Sequence, residues 1–220
     1  MPDIPNAQLA MMMDAFSGKA AATPDEMAAF YEALPPVRFA AVTVLPRYLR
    51  SAADYFHPRG QRVAALISSP LGAMTTAAKL VQVHRALADG ADELDVAMNL
   101  SAFRSGDYVA VTDELRVLRD AAAGRTIKVL YYSWMLNTEE ELRATELILR
   151  AGVTFLKTNP DDAHETLAEC VRAIKGRFGH DVRVLACGGV RTRRQALAMI
   201  EAGADRVATS APLVVLGAAH

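Results

Sequence analysis

Short runs of apolar and β-branched residues alternate with longer segments of helical period from about residue 37 to the end of the chain. Seven of the short runs are predicted strands: residues 39–44, 63–67, 93–98, 126–131, 154–158, 182–186 and 206–209. The predicted helices are residues 24–34, 46–55, 75–89, 107–123, 138–150, 162–177 and 192–202. This alternation is typical of repeated βα units that share a parallel sheet.

Eight βα units would close into a barrel, so the pattern predicts one further strand. That strand would have to lie in residues 9–16, which are poor in β-branched residues. We therefore predict an α/β fold, a (β/α)8 TIM barrel with a degenerate first strand, formed as one domain over residues 1–220. An open doubly wound sheet is the alternative, but no glycine-rich dinucleotide loop supports it.

Composition and charge favour a small-molecule ligand. The net charge is -1, and the charged residues are interspersed without a basic block, so we expect neither nucleic acid nor a membrane as a partner. The two cysteines have neither metal-ligand spacing nor the density of a disulfide scaffold. The N-terminus lacks the basic start of a secretory signal, and no apolar run approaches the ~20 residues of a membrane span. A cytoplasmic protein is expected.

Lys157 is the most informative residue of the chain, because it lies within the apolar run TFLKTN at residues 154–159. Burial of an ammonium group costs on the order of several kcal/mol unless the group is paired with an anion or loses its proton. A neutral lysine amine is a nucleophile toward carbonyl groups. Lys157 therefore indicates a carbonyl substrate.

Residues two apart on a strand share a face, and the carboxyl ends of barrel strands meet at the ligand site. Polar side chains of three strands should therefore point toward one region: Lys157 with Asn159, Asp95 with Asn99, and Lys128 with Tyr132. Each residue also has a structural explanation. Lys157 and Asp95 could form only an ion pair, Lys128 could extend to solvent, and Tyr132 could be a packed aromatic.

Gly188 and Gly189 precede a predicted helix that starts near Thr192, so their backbone N–H groups could bind an anion. Together with Ser210 at the end of the last strand, they have the layout of a barrel phosphate site, although a plain turn is the alternative. The five histidines suggest no metal cluster. We expect neither a metal nor a cofactor.

The chain resembles the deoxyribose-phosphate aldolase family in six stretches that cover most of its length in order. They are SPLGAMTTAAK (69–79), GADELDVAMNLSAFRSGDY (90–108), IKVLYYSWMLNTEEEL (127–142), AGVTFLKTN (151–159), CGGVRT (187–192) and AGADRVATS (202–210). The resemblance implies a (β/α)8 barrel and metal-free class I aldolase chemistry, in which a lysine forms a Schiff base with an aldehyde donor.

By motif position, Lys157 corresponds to the Schiff-base lysine, Asp95 to the aspartate that moves protons through water, and Lys128 to the lysine of strand 5. Tyr132 replaces the usual glutamate of strand 5 and is a candidate acid or base. The predicted substrate-binding residues are Asn99, Thr43, Asn159, Gly188, Gly189 and Ser210.

The chain departs from the family where a second lysine of strand 7 lowers the pKa of the Schiff-base lysine, because Leu185 occupies that position. Pro160 and Asp161 alter the loop after Lys157, and Ala211-Pro212 follows Ser210, which changes the expected phosphate donors.

Three functions are therefore open. The first is a Schiff-base aldolase or lyase that joins small aldehydes through Lys157. The second uses the same iminium on a non-phosphorylated carbonyl substrate. The third, suggested by Leu185, is a barrel that binds a metabolite without turnover. Apolar surface on such a barrel would favour a homodimer.

Overall fold

The structure is a computed structural model that describes residues 4–69, 72–158 and 167–217. Within them, eight parallel strands form a closed barrel in chain order, with the first strand paired to the last. The strands are β1 (Met13–Ser17), β2 (Ala41–Val44), β3 (Val63–Ile67), β4 (Glu93–Ala97), β5 (Thr126–Leu130), β6 (Phe155–Lys157), β7 (Arg183–Cys187) and β8 (Arg206–Thr209). The predicted (β/α)8 barrel is confirmed.

Helices connect the strands around the outside of the barrel. They are α1 (Asn6–Ala10), α2 (Pro24–Ala33), α3 (Leu49–Phe56), α4 (Thr76–Ala88), α5 (Leu100–Arg104), α6 (Tyr108–Ala121), α7 (Thr138–Arg150), α8 (Leu167–Phe178), α9 (Arg193–Glu201) and α10 (Pro212–Val215). Three of them, α2, α7 and α9, begin at capping boxes in which the N-cap side chain and a glutamate or glutamine exchange hydrogen bonds with the backbone. Among the described residues, no helix is both long and apolar enough to cross a membrane.

The first strand lies later than the predicted range of residues 9–16, since residues 6–10 form α1 and β1 begins at Met13. The strand forms despite its weak β-propensity because it pairs on both sides. Asp14 is paired with Ala41 on β2 and with Ala208 on β8. The start of the predicted helix at residues 162–177 lies outside the described residues, and α1, α5 and α10 were not predicted.

The strands of the barrel bury different side chains on their outer and inner faces. Strand residues that point outward, such as Val42, Val96 and Val184, pack with the helices into the main hydrophobic core. A second, small cluster consists of Phe155, Leu185 and Ala208, with Cys187 packed against it. Inside the barrel, a group of six charged side chains is also buried: Asp14, Glu93, Asp95, Lys128, Lys157 and Arg206.

Candidate active site

Lys157 is the last residue of β6, and its side chain forms a buried ion pair with Asp95 of β4. Its Nζ donates a hydrogen bond to Asp95 Oδ2 at 2.7 Å, and the exposed fraction of Lys157 is only 2%. The aromatic ring of Phe16 lies beside the same ammonium, with its centroid 5.3 Å from Nζ. Lys157 lies at the carboxyl end of its strand, whereas Asp95 is the middle residue of β4.

Lys128 is held by three carboxylates and does not reach solvent. The pairing of β4 with β5 places it beside Asp95, and its Nζ lies 2.9 Å from Asp95 Oδ1. The same nitrogen lies 2.6 Å from Asp14 Oδ2 and 3.0 Å from Glu93 Oε2. Of the three carboxylates, Asp14 accepts a hydrogen bond from Nζ, whereas Glu93 and Asp95 contact it as ion pairs. Asp95 is therefore shared, with one oxygen on Lys128 and the other on Lys157.

Arg206 of β8 completes the charge network on the side away from Lys157. Its Nη1 lies 2.8 Å from Glu93 Oε2 and 3.2 Å from Asp14 Oδ1, and its Nη2 donates to Glu93 Oε1 at 3.2 Å. The network thus contains three cations and three carboxylates. Burial of so many charges is tolerable because each charge faces an opposite one at hydrogen-bonding distance.

The network sets the protonation states at the site. Burial alone would raise the pKa of Asp95, but the ammonium groups of Lys128 and Lys157 outweigh it and lower that pKa to about 2. Burial would lower the pKa of Lys128, but Asp14, Asp95 and Glu93 raise it instead. For Lys157, burial again acts downward, and the charge of Asp95 gives a net rise in pKa. Lys157 is therefore an ammonium group in the resting site.

Three further residues lie close to Lys157. Leu185 of β7 is paired with Lys157 and is fully buried, so an alkyl group occupies the position where the family has a second lysine. Cys187 lies two residues further along the same strand face, and burial raises the pKa of its thiol. Tyr132 is buried, and its hydroxyl makes no hydrogen bond of normal geometry to any described residue. Burial raises the pKa of Tyr132, while Ser69 and the charge of Lys157 act in the opposite direction.

Two predicted substrate-binding residues have defined surroundings. Thr43 of β2 is fully buried, and its hydroxyl lacks a hydrogen-bond partner among the described residues. Because a buried polar group without a partner is costly, it is suited to contact a ligand. Asn99 is instead the N-cap of α5, where its side-chain oxygen accepts from the N–H of Ala102 at 3.1 Å. The side-chain oxygen of Asn99 therefore caps the helix. A substrate contact through the side-chain nitrogen of Asn99 stays a prediction.

The predicted anion site follows β7 and β8. Gly188 and Gly189 have φ angles of 114° and 65°, which favour glycine, and they form the turn that leads toward α9. Ser210 is exposed beyond the end of β8. The next N–H, of Ala211, donates to Thr209 Oγ1 at 3.0 Å and is thus already occupied. Asn159 lies outside the described residues.

Sequence reasoning missed the roles of Glu93 and Arg206 and did not connect Asp14 to Lys128. The signal was present, since Glu93 shares a strand face with Asp95 and Arg206 is a cation at the start of an apolar strand. The ion pair of Lys157 with Asp95, considered as a structural alternative, does exist in the resting site.

Among residues 4–69, 72–158 and 167–217, no group of three or more His, Cys, Asp or Glu side chains is arranged to hold a metal ion. That the reaction needs no metal or cofactor stays a prediction.

A closed (β/α)8 barrel whose interior holds a buried carboxylate shared by two lysines, one of them at the carboxyl end of its strand, has the architecture of a TIM-barrel enzyme. A scan against models of protein families finds no match. Individual relatives do match. The chain is 37% identical over 182 residues to the deoxyribose-phosphate aldolase of Desulfitobacterium hafniense, which covers 81% of this chain and 84% of that protein.

A second relative, the deoxyribose-phosphate aldolase of an Exiguobacterium species, is 34% identical over 211 residues, with 95% of this chain and 96% of that protein covered. The solved structure of the aldolase QR15 superimposes with a TM-score of 0.87 at 31% identity, covering 95% of this chain and 94% of that one. The chain belongs to the deoxyribose-phosphate aldolase family and is an aldolase-type lyase.

The lowered pKa of Asp95 predicts how stability depends on pH. The folded pKa is about 2, below the unfolded value of about 3.9, so Asp95 stabilises the fold above pH ~4. This contribution, about 2–3 kcal/mol, is lost as the pH falls from about 4 to 2. Asp95→Asn should therefore be less stable at neutral pH, and its free energy of unfolding should fall less steeply over that range. Urea unfolding at a series of pH values measures both.

Asp113→Asn is the matched control, since Asp113 is an exposed acid paired with Arg116 at 2.9 Å. It should keep the wild-type slope. Parallel pH curves for wild type and Asp95→Asn would contradict the assignment.

Proposed function

We propose that this aldolase makes and breaks C–C bonds between small aldehydes through an iminium on Lys157. The observation that carries the proposal is the sharing of Asp95 between Lys157 and Lys128 inside the barrel. This arrangement offers a nucleophile, a group that can accept and return protons, and a fixed cation within one buried region. The relatives of the chain are named for aldolase activity.

In the cleavage direction, the neutral amine of Lys157 attacks the substrate carbonyl carbon and a C–N bond forms. Loss of water gives an iminium, whose positive charge accepts the electron pair of the adjacent C–C bond when that bond breaks. The aldehyde fragment leaves as the proton of its hydroxyl is removed, and an enamine remains on Lys157. Protonation of the enamine carbon and hydrolysis release the second aldehyde and restore the amine. The lysine is the electron sink, so the proposal includes no cofactor and no metal.

Asp95 would relay protons during these steps. The positive charge of Lys128 would lower the pKa of Asp95. An iminium is a cation, as the resting ammonium is, so its pairing with Asp95 can persist through the reaction. The step that the resting site disfavours is the first one, because the pKa of Lys157 is raised and Leu185 supplies no second cation to lower it.

Tyr132 is the proposed proton donor and acceptor in place of the absent lysine. Its hydroxyl is buried without a normal hydrogen bond to any residue that the structure describes, and the charge of Lys157 acts to lower its pKa. A phenol in such a position can donate to a substrate oxygen or to the enamine carbon.

The substrate class has two candidates. The names of the relatives favour a phosphorylated deoxy sugar. A non-phosphorylated aldehyde is the second candidate, and it is favoured by the loop after β8. There Thr209 occupies the N–H of Ala211, and Pro212 has no N–H to donate.

Reductive trapping tests the proposed iminium. Incubation with carbonyl compounds and borohydride should attach the substrate to Lys157, and peptide mass analysis should find the adduct there. Lys79 is an internal control, since it is equally buried but pairs with Glu114 at 2.6 Å outside the barrel. The experiment should include matched phosphorylated and unphosphorylated aldehydes to separate the two substrate classes. Absence of an adduct at Lys157 with every compound would refute the proposal.

Tyr132→Phe should lower turnover by about 10²-fold or more, the usual contribution of a general acid or base. It should leave the yield of trapped adduct at Lys157 largely unchanged, because the amine and Asp95 remain. Steady-state kinetics and trapping yield measure the two effects separately. Unchanged turnover would remove Tyr132 from the mechanism.

Leu185→Lys should lower the pKa of Lys157, because it places a second ammonium on the paired residue of the neighbouring strand. A decrease of about one unit would raise the fraction of free amine about tenfold at neutral pH. The pH profile of the trapping rate should therefore move toward lower pH. Leu185→Met, which keeps the position uncharged, is the control and should not move it. Identical profiles for both variants would contradict this account of Leu185.

A further inference from the structure

Arg206 is the charged residue of the network that lies furthest from Lys157 in the chain of contacts. It bonds to Glu93 and Asp14, which bond to Lys128, and Lys128 in turn shares Asp95 with Lys157. The ring of Phe155 lies against its guanidinium, with the centroid 5.2 Å from Cζ. Arg206, Glu93 and Asp14 are all buried, so water screens their charges only weakly.

We propose that Arg206 is a positioning residue for the aldolase reaction: it neutralises Asp14 and Glu93, so that Lys128 keeps its share of Asp95 and Asp95 does not bind Lys157 alone. The inference rests on the proposed role of Lys157 as the Schiff-base nucleophile. The inference adds that a residue at the opposite end of the network affects how much of Lys157 is present as the free amine.

The charges in the network give the direction of the effect. With Arg206 present, three carboxylates face three cations. Without it, Asp14 and Glu93 would attract Lys128 more strongly and weaken its contact with Asp95. Asp95 would then bind mainly Lys157, and the site would carry one additional negative charge. Both changes stabilise the ammonium form of Lys157, so both reduce the amount of free amine.

Other charged groups do not replace Arg206. The charged or polar groups that act most strongly on Lys157 are Asp95, Cys187 and Lys128, and those that act most strongly on Arg206 are Asp14 and Glu93. Among the residues that the structure describes, Arg62 is the one further cation in an ion pair with a carboxylate of the network. Its side chain is 49% exposed and lies 3.6 Å from Glu93, so water screens its charge.

The test is the pH profile of reductive trapping at Lys157 with acetaldehyde and borohydride, in the full chain. Arg206→Met should move the profile to higher pH, with trapping about tenfold slower at neutral pH and close to wild type at high pH, since one pKa unit changes the free amine tenfold. Arg206→Lys keeps the charge and should keep the wild-type profile. Arg183→Met is the matched control, because Arg183 also covers Phe155, with Cζ 4.2 Å from the ring centroid, but is outside the network. It should leave the profile unchanged.

Glu93→Gln tests the same idea with the opposite sign, and it carries the test if Arg206→Met does not fold. Loss of this negative charge should move the profile to lower pH and make trapping faster than wild type at neutral pH. The double variant Glu93→Gln with Arg206→Met restores the charge balance, and its pH profile should lie near that of the wild type.

A uniform loss of trapping rate at every pH, or a profile of the double variant displaced as far as that of Arg206→Met, would overturn the inference. If wild type itself forms no adduct at Lys157, the proposed function fails; if only the variants' profiles fail to move, the inference alone fails.

Discussion

The structure of the site depends on one carboxylate that is shared between two lysines. Asp95 accepts from Lys157 through one oxygen and faces Lys128 through the other, in a region where all three side chains are buried. A single buried ion pair is weak evidence for function, because the attraction between its charges is offset by desolvation. A shared carboxylate differs, since the strength of either contact depends on the other. The charge state of Lys157 is thus linked to that of the whole network.

The barrel explains how such a network can be buried. Parallel pairing of all eight strands brings the inward-facing residues of β1, β4, β5, β6 and β8 together in one interior. The apolar residues that stabilise the fold lie mainly outside the barrel, between strands and helices. The interior accommodates the charged groups, and Phe155 and Leu185 form a small apolar cluster there. The main hydrophobic core and the charged network thus lie on opposite faces of the same strands.

Much of this could be predicted from the sequence, because strand periodicity is a local property. It places Lys157, Asp95 and Lys128 on inward faces, and the family resemblance supplies the roles that we propose for them. The pairing of Arg206 with Glu93 and Asp14 could not be predicted in the same way, since it depends on how far the strands are staggered around the closed barrel.

Local competition explains two further differences between expectation and structure. Asn99 follows a strand on the inward side, yet its side-chain oxygen caps α5, because an asparagine before a helix satisfies a free backbone N–H. The first strand begins at Met13 because α1 takes the residues before it, and its pairing with β2 and β8 is invisible to a search for β-branched residues.

The protonation state of Lys157 in the unliganded protein tests the central claim most directly. Isotope-edited NMR of its side-chain nitrogen, recorded as a function of pH, distinguishes ammonium from amine. The shared carboxylate predicts an ammonium at neutral pH that loses its proton only above the ordinary lysine value of about 10.4. A Lys157 amine that is already neutral near pH ~7, where an unperturbed lysine is fully charged, would contradict the account.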